Sequence, residues 1–149
     1  MELIFRSAAE DDLGALVDML ANDPLGQQRE DKTQFDKYQT AFAEINRDPN
    51  NELIVAVFEQ RVVGMLQLTY IPYLTHQGSW RCLIEGVRVD ENFRGQGLGE
   101  CLFQHAIELA KQRGCSMVQL TSDKQRPDAL RFYEKLGFIP SHELSLIHI

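Results

Sequence analysis

One stretch constrains the fold of this chain more than any other: Glu85 to Cys101, where an alternating segment runs into three glycines and then into a helix pattern. Val87 and Val89 alternate with Arg88, as a strand requires. Asp90 to Phe93 reads as a turn, and Gly95, Gly97 and Gly99 then stand at every second position behind Arg94. Strand, glycine loop and helix in that order suit an anion. The amides of a first helical turn have no intrahelical partner, the helix dipole favours negative charge, and glycines keep side chains out of the way. The spacing narrows the choice. A dinucleotide fingerprint counted from Gly95 and Gly97 needs its third glycine where Glu100 stands, and a Walker loop needs a Gly-Lys-Ser/Thr end that this stretch lacks. What remains is Arg-x-x-Gly-x-Gly, a phosphate cradle made by Arg94, Gly95, Gln96, Gly97, Leu98 and Gly99. A glycine turn that only lets helix and strand pack closely is the alternative.

The flanking chain has the same clarity of period. Leu3 to Phe5 is a short strand, and Ser7-x-x-Glu10 fits a capping box before a helix carrying Leu13, Leu16, Val17 and Leu20. Asn22-Asp23-Pro24 ends that helix, Gly26 to Asp31 reads as a loop, and a second helix spans Lys32 to Arg47. Leu53 to Phe58 and Val62 to Tyr70 form a hairpin pattern, and Arg81 to Val89 is the strand that feeds the glycine loop. Between them Tyr70 to Trp80 continues the strand or loops out, with Pro72 placing it at an edge or bend. After the loop, Leu98, Cys101, Leu102, Ala106, Leu109 and Ala110 share a helical face that Gly114 stops. Met117 to Thr121 is a strand parallel to the previous one, because a helix joins them. Pro127 suits a first helical position, and a short helix from Ala129 to Leu136 ends at Gly137. Phe138-Ile139 and Leu144 to Ile149 read as two last strands. The fold class is therefore α/β (α+β by strict usage), with a mixed sheet of about seven strands flanked by four helices.

Bulk properties bound the function. With 149 residues, 44% of them hydrophobic and 25% charged, the chain suits one domain, 1–149, able to bury a core. A net charge of -7 argues against a nucleic-acid binder and suits cationic substrates. No apolar run is long enough for a membrane, and Met1 to Arg6 lacks the basic flank and apolar core of a signal peptide. Cys82, Cys101 and Cys115 are odd in number without a Cys-x-x-Cys pair, as expected of reduced thiols in the cytoplasm. The four histidines are scattered, so no metal site is expected.

Two blocks then stand together: Val87-x-Val89 with Arg94-x-x-Gly97-x-Gly99, and farther on Ala129-Leu130-Arg131-Phe132-Tyr133-Glu134-Lys135-Leu136-Gly137-Phe138. With the element order they resemble the GNAT superfamily of acyl-CoA-dependent N-acetyltransferases over nearly the whole chain. The resemblance implies a mostly antiparallel sheet with a parallel pair at a central splay, acetyl-CoA as cosubstrate, a small-molecule primary amine as acceptor, and a homodimer as one arrangement. It places the CoA pyrophosphate on Arg94 to Gly99 and the pantetheine arm along Val87, Arg88 and Val89, with Arg126 and Phe132 also at the CoA. Gly86, inside the strand, is where the bulge that accompanies the splay is expected, a plain packing glycine being the alternative.

Tyr133 matches the tyrosine that protonates the leaving thiolate. Glu85 is the candidate base that takes the amine's proton, directly or through water, and the N–H of Val89 or a neighbour is the oxyanion donor. Tyr38, Tyr73 and Trp80 are candidate walls of the acceptor pocket. Arg126 departs from the family, many of whose members carry asparagine seven residues before the tyrosine. It is a poor cap and could instead reach a CoA phosphate or a substrate anion. The segment from Thr121 to Tyr133, with Ser141-His142 after it and Trp80 before, looks like the aminoalkylphosphonate acetyltransferase branch. The alternatives to a small-molecule enzyme are an acetyltransferase of protein N-termini or lysines and a non-catalytic acyl-CoA sensor.

Overall fold

The hairpin at the middle of the chain sets the frame. In the computed structural model, which describes residues 2–126 and 128–149, β2 (Asn51–Phe58) and β3 (Arg61–Pro72) pair antiparallel, from Asn51 opposite Thr69 to Phe58 opposite Arg61. The turn between them is Glu59-Gln60, both left-handed with φ of 48° and 66°. That is the type I′ pattern, whose twist matches the strands it joins. Outside this pair, β1 (Ile4–Ser7) is antiparallel to β2 and β4 (Trp80–Val89) is antiparallel to β3. The last strand, β5 (Met117–Leu120), runs parallel to β4, so the strand order follows the chain from β1 to β5.

Helices cover both faces, and the strands read accordingly. In β2, Ile54 and Ala56 point one way and Val55 and Val57 the other, yet all four are buried. On the first face lies α5 (Leu98–Gln112), which sets Leu98, Leu102, Phe103, Ala106 and Ala110 against Ile54, Leu66, Leu68 and Ile84. The opposite face carries α1 (Leu13–Ala21), whose Leu16 and Met19 meet Val55, Val57 and Met65. The remaining helical segments are α2 (Gly26–Arg29), α3 (Phe35–Arg47), α4 (Thr75–Gly78) and α6 (Ala129–Lys135). Of these, α4 is a single turn whose His76 and Gln77 have left-handed φ. Among the described residues, no helix is long and apolar enough to cross a membrane.

Three readings need correction. The described residues form five strands and six helical segments rather than seven strands and four helices. Phe138-Ile139 and Leu144 to Ile149 have strand composition but no ladder: the Phe138 amide donates back to Tyr133 O (3.0 Å), and Ile139, Leu144, Leu146, Ile147 and Ile149 are exposed. β-propensity describes a surface that fits a sheet, and only a partner strand makes it one. As a result, the parallel pair lies at the sheet's edge instead of its centre. At the other end, Ser7 stays in β1 opposite Ile54, and the cap is made by Asp12, which accepts from the Ala9 amide (2.7 Å) and pairs with Arg6. Pro127, read as a first helical residue, lies outside the described residues.

The sheet prepares a site where its last pair comes apart. Arg81 pairs with Met117 and Ile84 with Leu120, and there the parallel ladder ends while β4 runs on to Val89. The β3–β4 register slips at the same point: Gln67 faces Glu85 but Met65 faces Arg88, so Gly86 and Val87 together oppose Leu66. Gly86 has φ 64°, the left-handed geometry that a bulge of this kind draws from glycine. The bulge anticipated from the sequence is thus present, and it turns β4 away just where β5 stops.

Candidate active site

Beyond Ile84, β4 has a free edge toward the gap. Asp90 N–H donates to Val63 O on β3 (2.8 Å), so by the alternation of a strand Val89, and Val87 before it, turn their backbone groups toward the gap. Their carbonyls accept from arginine side chains: Val87 O from Arg88 Nη1 (2.9 Å) and Val89 O from Arg94 Nε (3.2 Å). No strand occupies this edge beyond Ile84 among the described residues, so an extended, amide-bearing ligand could pair with its N–H groups and with the second lone pair of each carbonyl.

The glycine loop follows directly. Asp90 Oδ1 accepts from the Asn92 amide (2.9 Å) and fixes a one-turn 3-10 segment, Glu91–Phe93. Gly95 and Gly97 are left-handed, with φ of 76° and 81°, and Gly97 is the N-cap of α5 without a side-chain cap bond. The first amides of a fifteen-residue helix are therefore presented to the loop uncapped, the donor set a pyrophosphate needs. Gly99 lies where α6 and β4 meet the helix start: a Cβ there would be 3.6 Å from Phe132 and 4.0 Å from Val89, ordinary contact distances. The residues present fit the phosphates and pantetheine of an acyl-CoA.

Phe132 and Tyr133 on α6 pack edge-on against Phe103 of α5, at centroid distances of 5.7 and 5.5 Å. Burial pushes the Tyr133 phenol above its usual range, while the charges of Arg126 and Arg88 pull it partly back. A phenol held protonated in this way can donate. Glu85 stands on β4 immediately before the bulge, and desolvation raises its carboxyl. A raised carboxyl is a stronger base than an ordinary one.

The structure brings Val87 to Val89, Arg94 to Gly99, Phe132, Tyr133 and Arg126 to one region, and it adds a residue that sequence reasoning missed. Asp23, read only as part of a helix end, is 7% exposed and accepts from both Arg126 nitrogens, Nη1 at 2.8 Å and Nη2 at 2.9 Å. Gly26 N–H reaches the same carboxylate at 3.1 Å and Arg88 Nη2 lies 3.5 Å away. The Arg126 bonds, foremost, hold the Asp23 carboxyl down at about 2. An aspartate between a helix and a proline reads as a helix end, and nothing near it along the chain points to Arg126. Tyr38 donates to Glu30 (2.9 Å) and accepts from Asp31 N–H (3.1 Å), and the charge of Glu30 is felt at Arg88. Tyr73 and Trp80 lie elsewhere: Tyr73 stacks under Arg81 (4.4 Å), and Trp80 pairs with Pro72 at the start of β4, where β5 begins rather than ends. The aromatic trio does not form a single wall.

An uncapped glycine loop beside a divergent strand pair is an arrangement that can hold an acyl-CoA. The chain belongs to the acetyltransferase (GNAT) family, whose model matches residues 16–138. The aminoalkylphosphonate N-acetyltransferase of Salmonella typhimurium is 32% identical over 108 residues, covering 72% of this chain and 70% of that one. The glucosamine 6-phosphate N-acetyltransferase of Trypanosoma brucei brucei is 41% identical over 78 residues, about half of each chain (52% and 51%). A crystal structure from Bacillus halodurans C-125, described as a transcriptional regulator, superposes with a TM-score of 0.95 at 56% identity, covering 99% of this chain and 100% of that one.

Proposed function

We propose that this chain transfers the acetyl group of acetyl-CoA directly to the primary amine of a small molecule, as a single catalytic domain spanning residues 1–149. The observation that carries this reading is the continuity of three features: the free β4 edge at Val87 and Val89, the uncapped loop from Arg94 to Gly99, and the protonated Tyr133 beside them. The thioester lies along the edge with its phosphates in the loop. The amine lone pair forms the C–N bond, and Glu85 takes the amine's proton, directly or through water. The Val89 N–H stabilises the oxyanion, and as the C–S bond breaks the thiolate takes the Tyr133 proton. Two relatives named for small phosphorus-bearing amines support a small acceptor.

The name of the Bacillus halodurans neighbour favours a second reading, in which the chain binds acyl-CoA and signals without turnover. Thiol release from acetyl-CoA across a panel of alkylamines, aminophosphonates, amino sugars, polyamines and peptides separates the two. Release with at least one small amine is the expected result. A protein stabilised by CoA that acetylates nothing in the panel is a sensor.

A further inference from the structure

A charge imbalance beside the candidate active site goes beyond the transfer reaction. Among the described residues, the charged groups acting on Arg88 are the carboxylates of Asp23 and Glu30 and the guanidiniums of Arg126 and Arg29. In direct contact, two guanidiniums share one carboxylate: Arg126 lies 2.8 Å and Arg88 3.5 Å from Asp23. Glu30 is already engaged by the Tyr38 hydroxyl. Asp23 spends both oxygens on Arg126 and on the Gly26 amide, leaving Arg88 at 3.5 Å, beyond a good charge-assisted bond. The Arg88 side chain is nevertheless only 14% exposed, and its Nε is buried without a hydrogen-bond partner among the described residues. A guanidinium so placed is costly unless an anion completes it.

The chemistry of that anion follows from Asp23. A carboxylate is planar with two oxygens, and the one already present satisfies one guanidinium while leaving the other short. A phosphoryl group has three oxygens on a tetrahedral centre and can accept from both forks at once. The cleft lined by Asp23, Leu25, Gln28, Gln125, Arg126 and Ala129 opens at the Asp23–Arg126 pair, between the end of α1 and the start of α6; Arg88 reaches it through Asp23, and the charges of both arginines reach Tyr133. We propose that Arg88 and Arg126 form a subsite for a phosphate or phosphonate carried by the acceptor amine, with Asp23 as the resident counter-ion that holds the arginines until that group arrives. This inference rests on the transfer reading for its word acceptor, but the anion site itself can be tested without turnover.

The kinetic arm compares an ω-aminoalkylphosphonate with the alkylamine of equal chain length. The phosphonate should show kcat/KM higher by roughly 10- to 100-fold, the value of one or two charge-assisted hydrogen bonds. Arg88→Met should bring that ratio close to one. The double variant Asp23→Asn/Arg126→Gln, which removes the ion pair as a unit, should do the same if Arg88→Met fails to fold. The binding arm measures thermal protection by methylphosphonate with CoA saturating, so that the donor's own phosphates fill the glycine loop. Protection should be present in the wild type, lost in Arg88→Met and stronger in Asp23→Asn, where no resident carboxylate competes. A ratio near one in the wild type with no protection overturns the proposal. So does a variant that raises the KM for acetyl-CoA and leaves the acceptor ratio intact, because the arginines then serve the donor's phosphates. If no amine is acetylated yet methylphosphonate protects in an arginine-dependent way, the phosphoryl site stands and the transfer reading falls.

Discussion

Glu85 and Tyr133 owe their proposed roles to one physical cause, partial removal from water, acting with opposite consequences. For Glu85, desolvation raises the carboxyl, so the basic form is lost at a higher pH than for an ordinary glutamate. The acid limb of kcat/KM should lie above the usual carboxylate range, and Glu85→Gln should lose turnover that is partly regained at high pH, where the amine deprotonates unaided. The same sign makes the ionised carboxylate a burden on the fold, so Glu85→Gln should melt no lower than the wild type at neutral pH. For Tyr133, burial keeps the proton on the phenol. Tyr133→Phe should lower kcat much more than it weakens acetyl-CoA binding, as read by steady-state kinetics beside calorimetry. Asp23 runs the other way. Its folded pKa is depressed from 3.8 to about 2, so its pairing energy is whole above the ordinary aspartate range and vanishes as pH falls through the folded value. Asp23→Ala should cost about 2 kcal/mol at neutral pH in a denaturant titration, with the difference narrowing as pH falls below 3.8 and closing as it passes through about 2.

At the scale of the element, β4 does the organising. Its first half is an interior strand held on both sides, and its second half, past Ile84, is held by β3 alone. Gly86 makes the change of direction with a left-handed φ and no atom within 4 Å of where a Cβ would sit. Gly86→Ala therefore meets conformational strain without a clash, about 1–2 kcal/mol. It should lower the unfolding free energy by that amount in a denaturant titration and raise the KM for acetyl-CoA, because straightening β4 closes the gap.

For the molecule as a whole, the net charge of -7 attracts a cationic amine over a distance that salt shortens to about 10 Å at 0.1 M. The kcat/KM of a diamine should fall with added salt, and that of an aminophosphonate, whose charges largely cancel, should change little. The same average conceals the arginine cluster, which shows how far sequence reading carried. Period and glycine spacing revealed the hairpin, α5, the parallel pair and the loop, because each depends on neighbours close along the chain. The Arg126–Asp23 pair joins positions 103 residues apart and left no local trace. The two expected C-terminal strands failed for the opposite reason, since Leu144 and Leu146 alternate well and find no ladder to join.

The early end of the β4–β5 ladder also bears on how ligand and fold are coupled. A sheet that stops one strand short along half its length has rungs that something else must supply, and on the proposed function the donor's amide-bearing arm supplies them. Acetyl-CoA then behaves as a removable strand, and its arrival is the last step of folding as much as the first step of catalysis.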